Sequence, residues 1–315
     1  MSAADHTTTD GYDELRAAAF GAAYRMLGSV NEAEDLVQEA FLRLHRERAA
    51  GARIDSPEGF LVTVVTRLGI DQLKSARSRR ETYVGEWLPE PILTAEDGDD
   101  PGRHAEIAES LSMALLVVLE RLSPEQRAVF LLREVFDYPY ERIGAVLGKS
   151  PAAVRQLGSR ARRQVDGGTP RFETSREQRR RLASRFFDAV EEGDLDGLEA
   201  LLAEDALVRG DGGEGGGRRT PTRGRVRCLQ AMRTGLALLE RMGTTLRRAE
   251  VNGEPGMLVV DAEDRLVGVV TVDVADGRVS AVNSIFNPDK LRHLVPVGDR
   301  PALLAAARDR MRRPS

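Results

Sequence analysis

Leu36, Val37, Ala40, Phe41 and Leu44 recur at intervals of three and four residues, which puts them on one face of a helix. Asp35, Gln38 and Glu39 fall on the other faces. Asn31 is the expected N-cap, and Glu32, Glu34 and Asp35 load the positive end of the helix dipole. A second helix starts at Ser56-Pro57-Glu58, a cap followed by proline and acid. It carries Phe60, Leu61, Val64, Val65, Leu68, Ile70 and Leu73 and ends in a basic run from Lys74 to Arg80. Basic residues suit a helix C-terminus, yet this run continues past what capping needs and fits phosphate contact. The whole segment from Tyr12 to about Arg80 reads as helix. The prolines of Glu86-Trp87-Leu88-Pro89-Glu90-Pro91 and the acidic stretch Glu96 to Gly102 then predict a linker.

Helical periodicity resumes near His104. Ser123-Pro124-Glu125 opens a helix that is apolar through Val129, Phe130, Leu131 and Leu132. A short helix from Glu141 to Leu147 follows, and Gly148 sits where a left-handed C-cap is needed. Ser150 and Pro151 start a third helix. Its Val154, Leu157 and Ala161 face inward, while Arg155, Gln156, Ser159, Arg160, Arg162 and Arg163 can face out. Two helices joined by a tight glycine turn predict a helix-turn-helix, whose second helix enters the major groove. From Lys149 to Arg163 there are five basic residues and no acid. Five phosphate contacts would give a log–log salt slope of roughly −4.5.

Asp166-Gly167-Gly168-Thr169-Pro170 breaks the pattern again. Helices are expected over Arg176–Glu192, Asp196–Leu202 and Arg225–Met242. Strands follow at Leu246–Val251, Met257–Asp261, Leu266–Val274 and Val279–Phe286. Asn252-Gly253 and Asp276-Gly277 are hairpin signals. Helices followed by a strand meander predict an α+β cone, a curved sheet wrapped on helices. Its acids Asp205, Asp211, Asp261 and Asp273 are expected in loops and hairpins, solvated. The segments are 11–80, a linker 81–104, 105–166, 172–290, and a tail 291–315 that forms one short helix with a basic end.

Composition narrows the class. The 315 residues are 41% hydrophobic and 30% charged with net charge −4, in keeping with two or three globular domains. No run of about 18 apolar residues predicts a membrane span. Residues 1–10 are polar and acidic, unlike a secretory signal. Cys228 is the only cysteine, so no internal disulfide can form, and a cytoplasmic protein is expected. The four histidines are scattered away from it, so no metal site and no cofactor is expected.

Taken together, the motifs resemble extracytoplasmic-function (ECF) RNA polymerase sigma factors. Ala33 to Leu44 is similar to the region-two motif that contacts core polymerase. Gly59-Phe60-Leu61 through Asp71-Gln72-Leu73-Lys74-Ser75-Ala76-Arg77 is similar to the part that melts and reads the minus-ten element. Leu122 to Arg163 is similar to region four, which reads the minus-thirty-five element. Arg67 stands where many members carry asparagine. Phe186-Phe187 through Gly193-Asp194-Leu195, with Leu201-Leu202 and Asp205, resembles the SnoaL-like branch of the NTF2-like superfamily. The linker Trp87 to Pro91 and the segment Asn287-Pro288-Asp289-Lys290-Leu291 resemble the ECF forty-one group. Where that group has Asp-Gly-Gly-Gly, this chain has Asp211-Gly212-Gly213-Glu214, then three more glycines.

The resemblance implies two all-α sigma domains, the second with the helix-turn-helix, followed by an NTF2-like cone. Core RNA polymerase and promoter DNA are the implied partners, and a small ligand in the cone is a further candidate. Asp35, Gln38 and Glu39 would bind polymerase. Arg67, Lys74 and Arg77 would meet DNA near the melted strand. Arg155, Gln156, Ser159, Arg160, Arg162 and Arg163 would face the upstream element. Trp87, Leu88, Pro89, Asp211, Gly212, Gly213, Asn287, Pro288 and Asp289 would form a regulatory interface acting in cis. The expected protein is a non-enzymatic sigma factor. The alternatives are a ligand-responsive helix-turn-helix regulator and a SnoaL-like enzyme carrying a DNA-binding module.

Overall fold

The computed structural model describes residues 6–81, 86–94, 112–168, 175–213, 220–294 and 296–312. The chain divides into two units: Met1–Glu81 with Leu116–Gly168, and Thr82–Leu115 with Thr169–Ser315. The acidic stretch Glu96 to Gly102 and the glycines 215–217 lie outside the described residues, as do the side chains of Arg77, Arg79 and Arg80.

The first unit is helical. It holds α1 (His6–Leu27), α2 (Val30–Ala49), α3 (Pro57–Glu81), most of a short α4 (Met113–Leu119), α5 (Pro124–Glu134), α6 (Tyr140–Leu147) and α7 (Pro151–Gly168). Ser29, not Asn31, caps α2: its hydroxyl accepts the Glu32 N–H. Gly28 ends α1 at φ +66°, which leaves Ser29 extended and lets the next helix begin two residues earlier than the acidic cluster suggests. Leu36, Val37, Ala40, Phe41 and Leu44 are buried as their spacing requires. Ser123 and Gln126 form a reciprocal capping box at the start of α5.

The turn between α6 and α7 depends on two glycines. Gly148 takes φ +64°, a conformation costly for a residue with a Cβ. A Cβ on Gly144 would lie 2.7 Å from the Lys149 carbonyl oxygen, so the chain can double back this tightly only with glycine there.

In the second unit, α8 (Arg176–Glu192), α9 (Leu195–Leu201) and α10 (Arg225–Arg241) pack on a sheet ordered β2-β1-β6-β5-β4-β3. The strands are β1 (Leu202–Asp211), β2 (Thr222–Arg223), β3 (Thr245–Val251), β4 (Glu254–Val260), β5 (Leu266–Ala275) and β6 (Arg278–Ile285). Phe186, Phe187, Leu198, Met232, Met257, Val272 and Val282 form the core between helices and sheet. The expected meander is present as β3 to β6, all antiparallel. Asn252-Gly253 and Asp276-Gly277 turn with positive φ at both residues, as type I′ hairpins require.

Two expectations fail here. β1 was not anticipated: Glu204 and Asp205 interrupt its apolar alternation, and it is held by parallel pairing to β6, a long-range contact no local pattern reveals. The acids are also not uniformly solvated. Asp211, Asp261 and Asp273 are buried, each beside an Arg or Lys. The C-terminal tail forms α11 (Arg300–Arg312), whose Ala307 is fully buried against Met242, Val259 and Val267.

Candidate functional site

Three surfaces carry the chemistry. On α2, Asp35, Gln38 and Leu42 are exposed and Glu39 is half-exposed. Positions 35, 38, 39 and 42 stack along one side of a helix, so they form a single acidic stripe with an exposed leucine in it. Glu39 meets Arg43 at 2.8 Å, and Glu34 meets Arg16 at 2.6 Å.

On α7, Arg155, Gln156, Ser159, Arg160, Arg162 and Arg163 are all exposed, while Val154, Ala161 and Val165 are buried. The cations are not equivalent. Arg162 makes two hydrogen bonds of 2.6 Å to the Glu134 carboxylate of α5, which raises its pKa and fastens α7 to α5. Lys149 lies 3.2 Å from Glu125, and Arg155 lies 3.8 Å from Glu141.

The expected DNA contacts of α3 are partly occupied inside the same unit. Arg67 donates to the carbonyls of Val146 at 2.8 Å and Ala145 at 3.1 Å, at the C-terminal end of α6 where a cation is favoured. Lys74 lies 3.7 Å from Glu125. Arg127, 2% exposed, bonds the Met26 carbonyl and Glu120, both at 2.7 Å. These contacts join the segment around α3 to the helix-turn-helix. Arg77 lies on α3, with its side chain outside the described residues.

The third surface belongs to the second unit. Three segments far apart in sequence meet at one buried ion pair. Lys290 Nζ is 2.6 Å from Asp211 Oδ2, and the two residues are 6% and 1% exposed. The same ammonium donates to the Leu88 carbonyl and sits 3.9 Å from the centre of the Trp87 ring. Asp211 Oδ2 also accepts the Leu88 N–H at 2.9 Å, and Oδ1 accepts the Gly213 N–H at 3.3 Å. Asn287 caps the 3-10 turn Pro288–Lys290 by accepting the Asp289 N–H at 3.0 Å, which aims Lys290 inward. Gly213 packs directly on Asn287, leaving no room for a side chain. Pro288 and Asp289 are exposed, and Asp289 pairs with Arg292.

The linker is then fastened again. Ile92 and Asn252 exchange hydrogen bonds: Asn252 N–H to the Ile92 carbonyl, 2.8 Å, and Ile92 N–H to the Asn252 side chain, 3.1 Å. Thr94 N–H donates to the Glu250 carbonyl, and Leu93 bridges Val251 at the sheet's edge strand β3. Between these anchors, His293 Nε2 meets the Pro91 carbonyl at 2.8 Å. Glu86 approaches Arg209 at 3.7 Å, and Arg209 bonds Asp273 and Asn283, each at 3.1 Å. Burial raises the pKa of Asp273, against the pull of Arg209 and Asn283.

Of the expected regulatory residues, Trp87, Leu88, Asp211, Gly213 and Asn287 come together here. The sequence reading omitted Lys290, although it lies inside the quoted Asn287–Leu291 segment. It also omitted Arg209 and Asn283, and it read Asn252 only as a turn residue. Among the described residues no group of three His, Cys, Asp or Glu side chains could hold a metal, and no helix is long and apolar enough to cross a membrane.

An acidic helical stripe, a basic helix-turn-helix and a linker docked on a cone define a promoter-recognition protein with an appended domain. Residues 12–79 match Sigma-70 region 2, residues 112–165 match Sigma-70 region 4, and residues 183–282 match the SnoaL-like domain. The chain belongs to the ECF RNA polymerase sigma factors. It is 39% identical to ECF RNA polymerase sigma factor SigJ of Mycobacterium tuberculosis, over 89% of this chain and 91% of that protein. It is 34% identical to the probable sigma factor SigI of the same species, over 85% and 89%. The crystal structure of M. tuberculosis SigJ superposes with a TM-score of 0.72 at 37% identity, covering 90% of this chain and 98% of that one.

Two outcomes are expected. Trp87 is the only tryptophan, so its fluorescence reports linker docking. Lys290→Met removes the ammonium from the buried Asp211 carboxylate, a loss of about 3 kcal/mol. Its emission should shift to the red and its acrylamide quenching should rise. On promoter DNA, Arg160→Ala should lower the log–log salt slope by about 0.9, whereas Arg162→Ala should leave it unchanged because that cation is spent on Glu134.

Proposed function

We propose that the stripe Asp35, Gln38, Glu39 and Leu42 binds core RNA polymerase, that α7 reads the upstream promoter element, and that the C-terminal domain tunes initiation in cis without catalysing a reaction. The observation that carries the regulatory part is the clamp of Asp211 and Lys290 on Leu88. It grips the linker that joins the two DNA-reading segments, so any state requiring a longer free linker competes with it.

Promoter binding is such a state. Elements at minus ten and minus thirty-five lie about 25 base pairs apart, roughly 85 Å along a straight duplex. α3 and α7 laid end to end span only about 65 Å at 1.5 Å per residue. Yet Arg67 ties α3 directly to the helix-turn-helix. The two segments must therefore part before both elements are read. Docking Trp87 to Thr94 on the cone withdraws those eight residues from the freely moving part of the linker. The clamp opposes opening, and its release favours it.

Purified core polymerase tests both parts. Asp35→Lys with Glu39→Lys should weaken core binding by about a hundredfold, as like charges across an interface do, with the helical circular dichroism unchanged. Retained binding would remove the polymerase assignment. Lys290→Met should raise transcript yield about threefold at subsaturating sigma factor, an effect of less than 1 kcal/mol. Equal yields from variant and wild type, with the Trp87 signal showing release, would end the regulatory reading.

A further inference from the structure

α10 has two unlike faces. Its inner face buries Cys228 and Met232 and closes an apolar cavity of about 170 Å³ against the sheet, walled by Phe186, Met232, Leu239, Met257 and Val282. Its outer face is basic. From Pro221 to Leu239 the chain carries four arginines and no acid. Arg225 meets Glu204 at 2.9 Å. Arg223, Arg227 and Arg233 are exposed and have no carboxylate within pairing distance among the described residues.

This departs from the rest of the cone. Arg180 pairs with Glu250 at 2.6 Å, Arg248 with Asp188 and Glu191 at 2.7 Å, Arg265 with Asp261 at 2.8 Å, and Arg181 with Glu177. Helix stability gives no reason for the exception. α8 and α9 each start with a side-chain cap and an acid in the first turn, Ser175 with Glu177 and Asp194 with Asp196. α10 starts at Gly224 with neither, and it sets Arg225 and Arg227 at the positive end of its own dipole, where cations are unfavourable. The mounting is firm all the same. Arg223 pairs with Leu207 in the β1–β2 ladder, Gly224 N–H donates to the Ala206 carbonyl at 2.9 Å, and the Cys228 thiol donates to the same carbonyl at 3.1 Å.

We propose that the face carrying Arg223, Arg227 and Arg233 lies on the phosphate backbone of duplex DNA, a contact separate from those of α3 and α7 and independent of the linker clamp. Arg227 and Arg233 flank the exposed Gln230 on the outer side of the helix. They are about 9 Å apart along its axis, a span of roughly two to three phosphates at about 3.4 Å per step of one strand. A guanidinium fork matches phosphate oxygens and is weakly hydrated, so it gives up little water on contact. Phosphate contacts hold a protein on DNA without reading its sequence. The proposal takes only the choice of polyanion from the sigma-factor class, which acts on duplex DNA; it stands whether or not the clamp regulates transcription.

Fluorescence anisotropy tests it, with the purified full-length chain on a labelled duplex long enough for both DNA-reading segments, titrated with salt. Arg227→Gln with Arg233→Gln should reduce the magnitude of the log–log salt slope by about 1.8, and adding Arg223→Gln should bring the drop to about 2.7, on promoter and unrelated duplexes alike. Arg181→Gln with Arg247→Gln removes as much charge from paired arginines of the cone as the double variant does, and should leave the slope unchanged. Arg227→Glu returns an acid to the first turn of α10, so it should weaken DNA binding while raising the thermal midpoint. Trp87 emission should match the wild type in every variant, because the clamp is untouched. A slope unchanged in the triple variant, or reduced equally by the paired-arginine control, would overturn the proposal. So would a loss confined to the promoter sequence. Weakened core polymerase binding with the DNA slope intact would overturn it as well, placing an acidic protein surface there instead.

Discussion

A lysine ammonium and an aspartate buried together must find their remaining hydrogen-bond partners inside the protein, because water cannot reach them. Lys290 and Asp211 find theirs on the backbone of Leu88. Asp211 accepts the Leu88 N–H and Lys290 donates to its carbonyl, so one linker residue bonds both sides of the pair. Without the linker, two desolvated charges would have fewer partners. The pair therefore gives the linker a specific docking register that apolar burial of Leu88 alone would not provide. The other anchors act in the same register: Ile92 on Asn252, Thr94 on Glu250, and Leu93 against the edge strand β3. Covering that edge also removes a row of backbone groups otherwise open to pairing with another chain.

Electrostatics divides the first unit by the same logic. A cation already satisfied by a carboxylate or a helix end has little left to give a phosphate. Arg162 and Arg67 are committed to Glu134 and to the carbonyls of α6, so they shape the unit. Arg160 and Arg163 stand on the exposed side of α7, where Arg163 donates to the Ser159 carbonyl at 3.3 Å. The acidic stripe of α2 keeps Asp35 and Gln38 open to solvent because Leu36, Val37, Ala40 and Phe41 consume the opposite face.

Local rules made much of this visible in the sequence. Periodicity marked the buried face of α2, the Ser-Pro-Glu starts marked α3 and α5, and Gly148 marked the turn before α7. What stayed hidden was non-local. β1 exists because β6 pairs with it, and Asp273 is buried because Arg209 and Asn283 arrive from other strands. Asn252 satisfies the I′ turn rule on its own, and nothing nearby hints that it also binds Ile92. The motif around Asn287 pointed to the right place. Selecting Lys290 from it required knowing that Asp211 and Leu88 lie beside it.

Strand alternation connects the two faces of the cone. On β1, Val208 lines the cavity while Arg209 joins the Glu86 network and Asp211 holds the linker. On β6, Val282 and Ser284 face the cavity while Asn283 faces that network. Phe286, also in the cavity wall, donates its N–H to the Asp211 carbonyl at 2.7 Å. Cavity and clamp are thus opposite sides of the same two strands. Proximity alone does not couple them: an occupant biases the clamp only if it binds the docked and released states with different affinity. The place where such a difference can arise is narrow. A shift of β6 that enlarges the cavity must also move Phe286 against Asp211, and the buried pair tolerates little displacement before its hydrogen bonds lengthen.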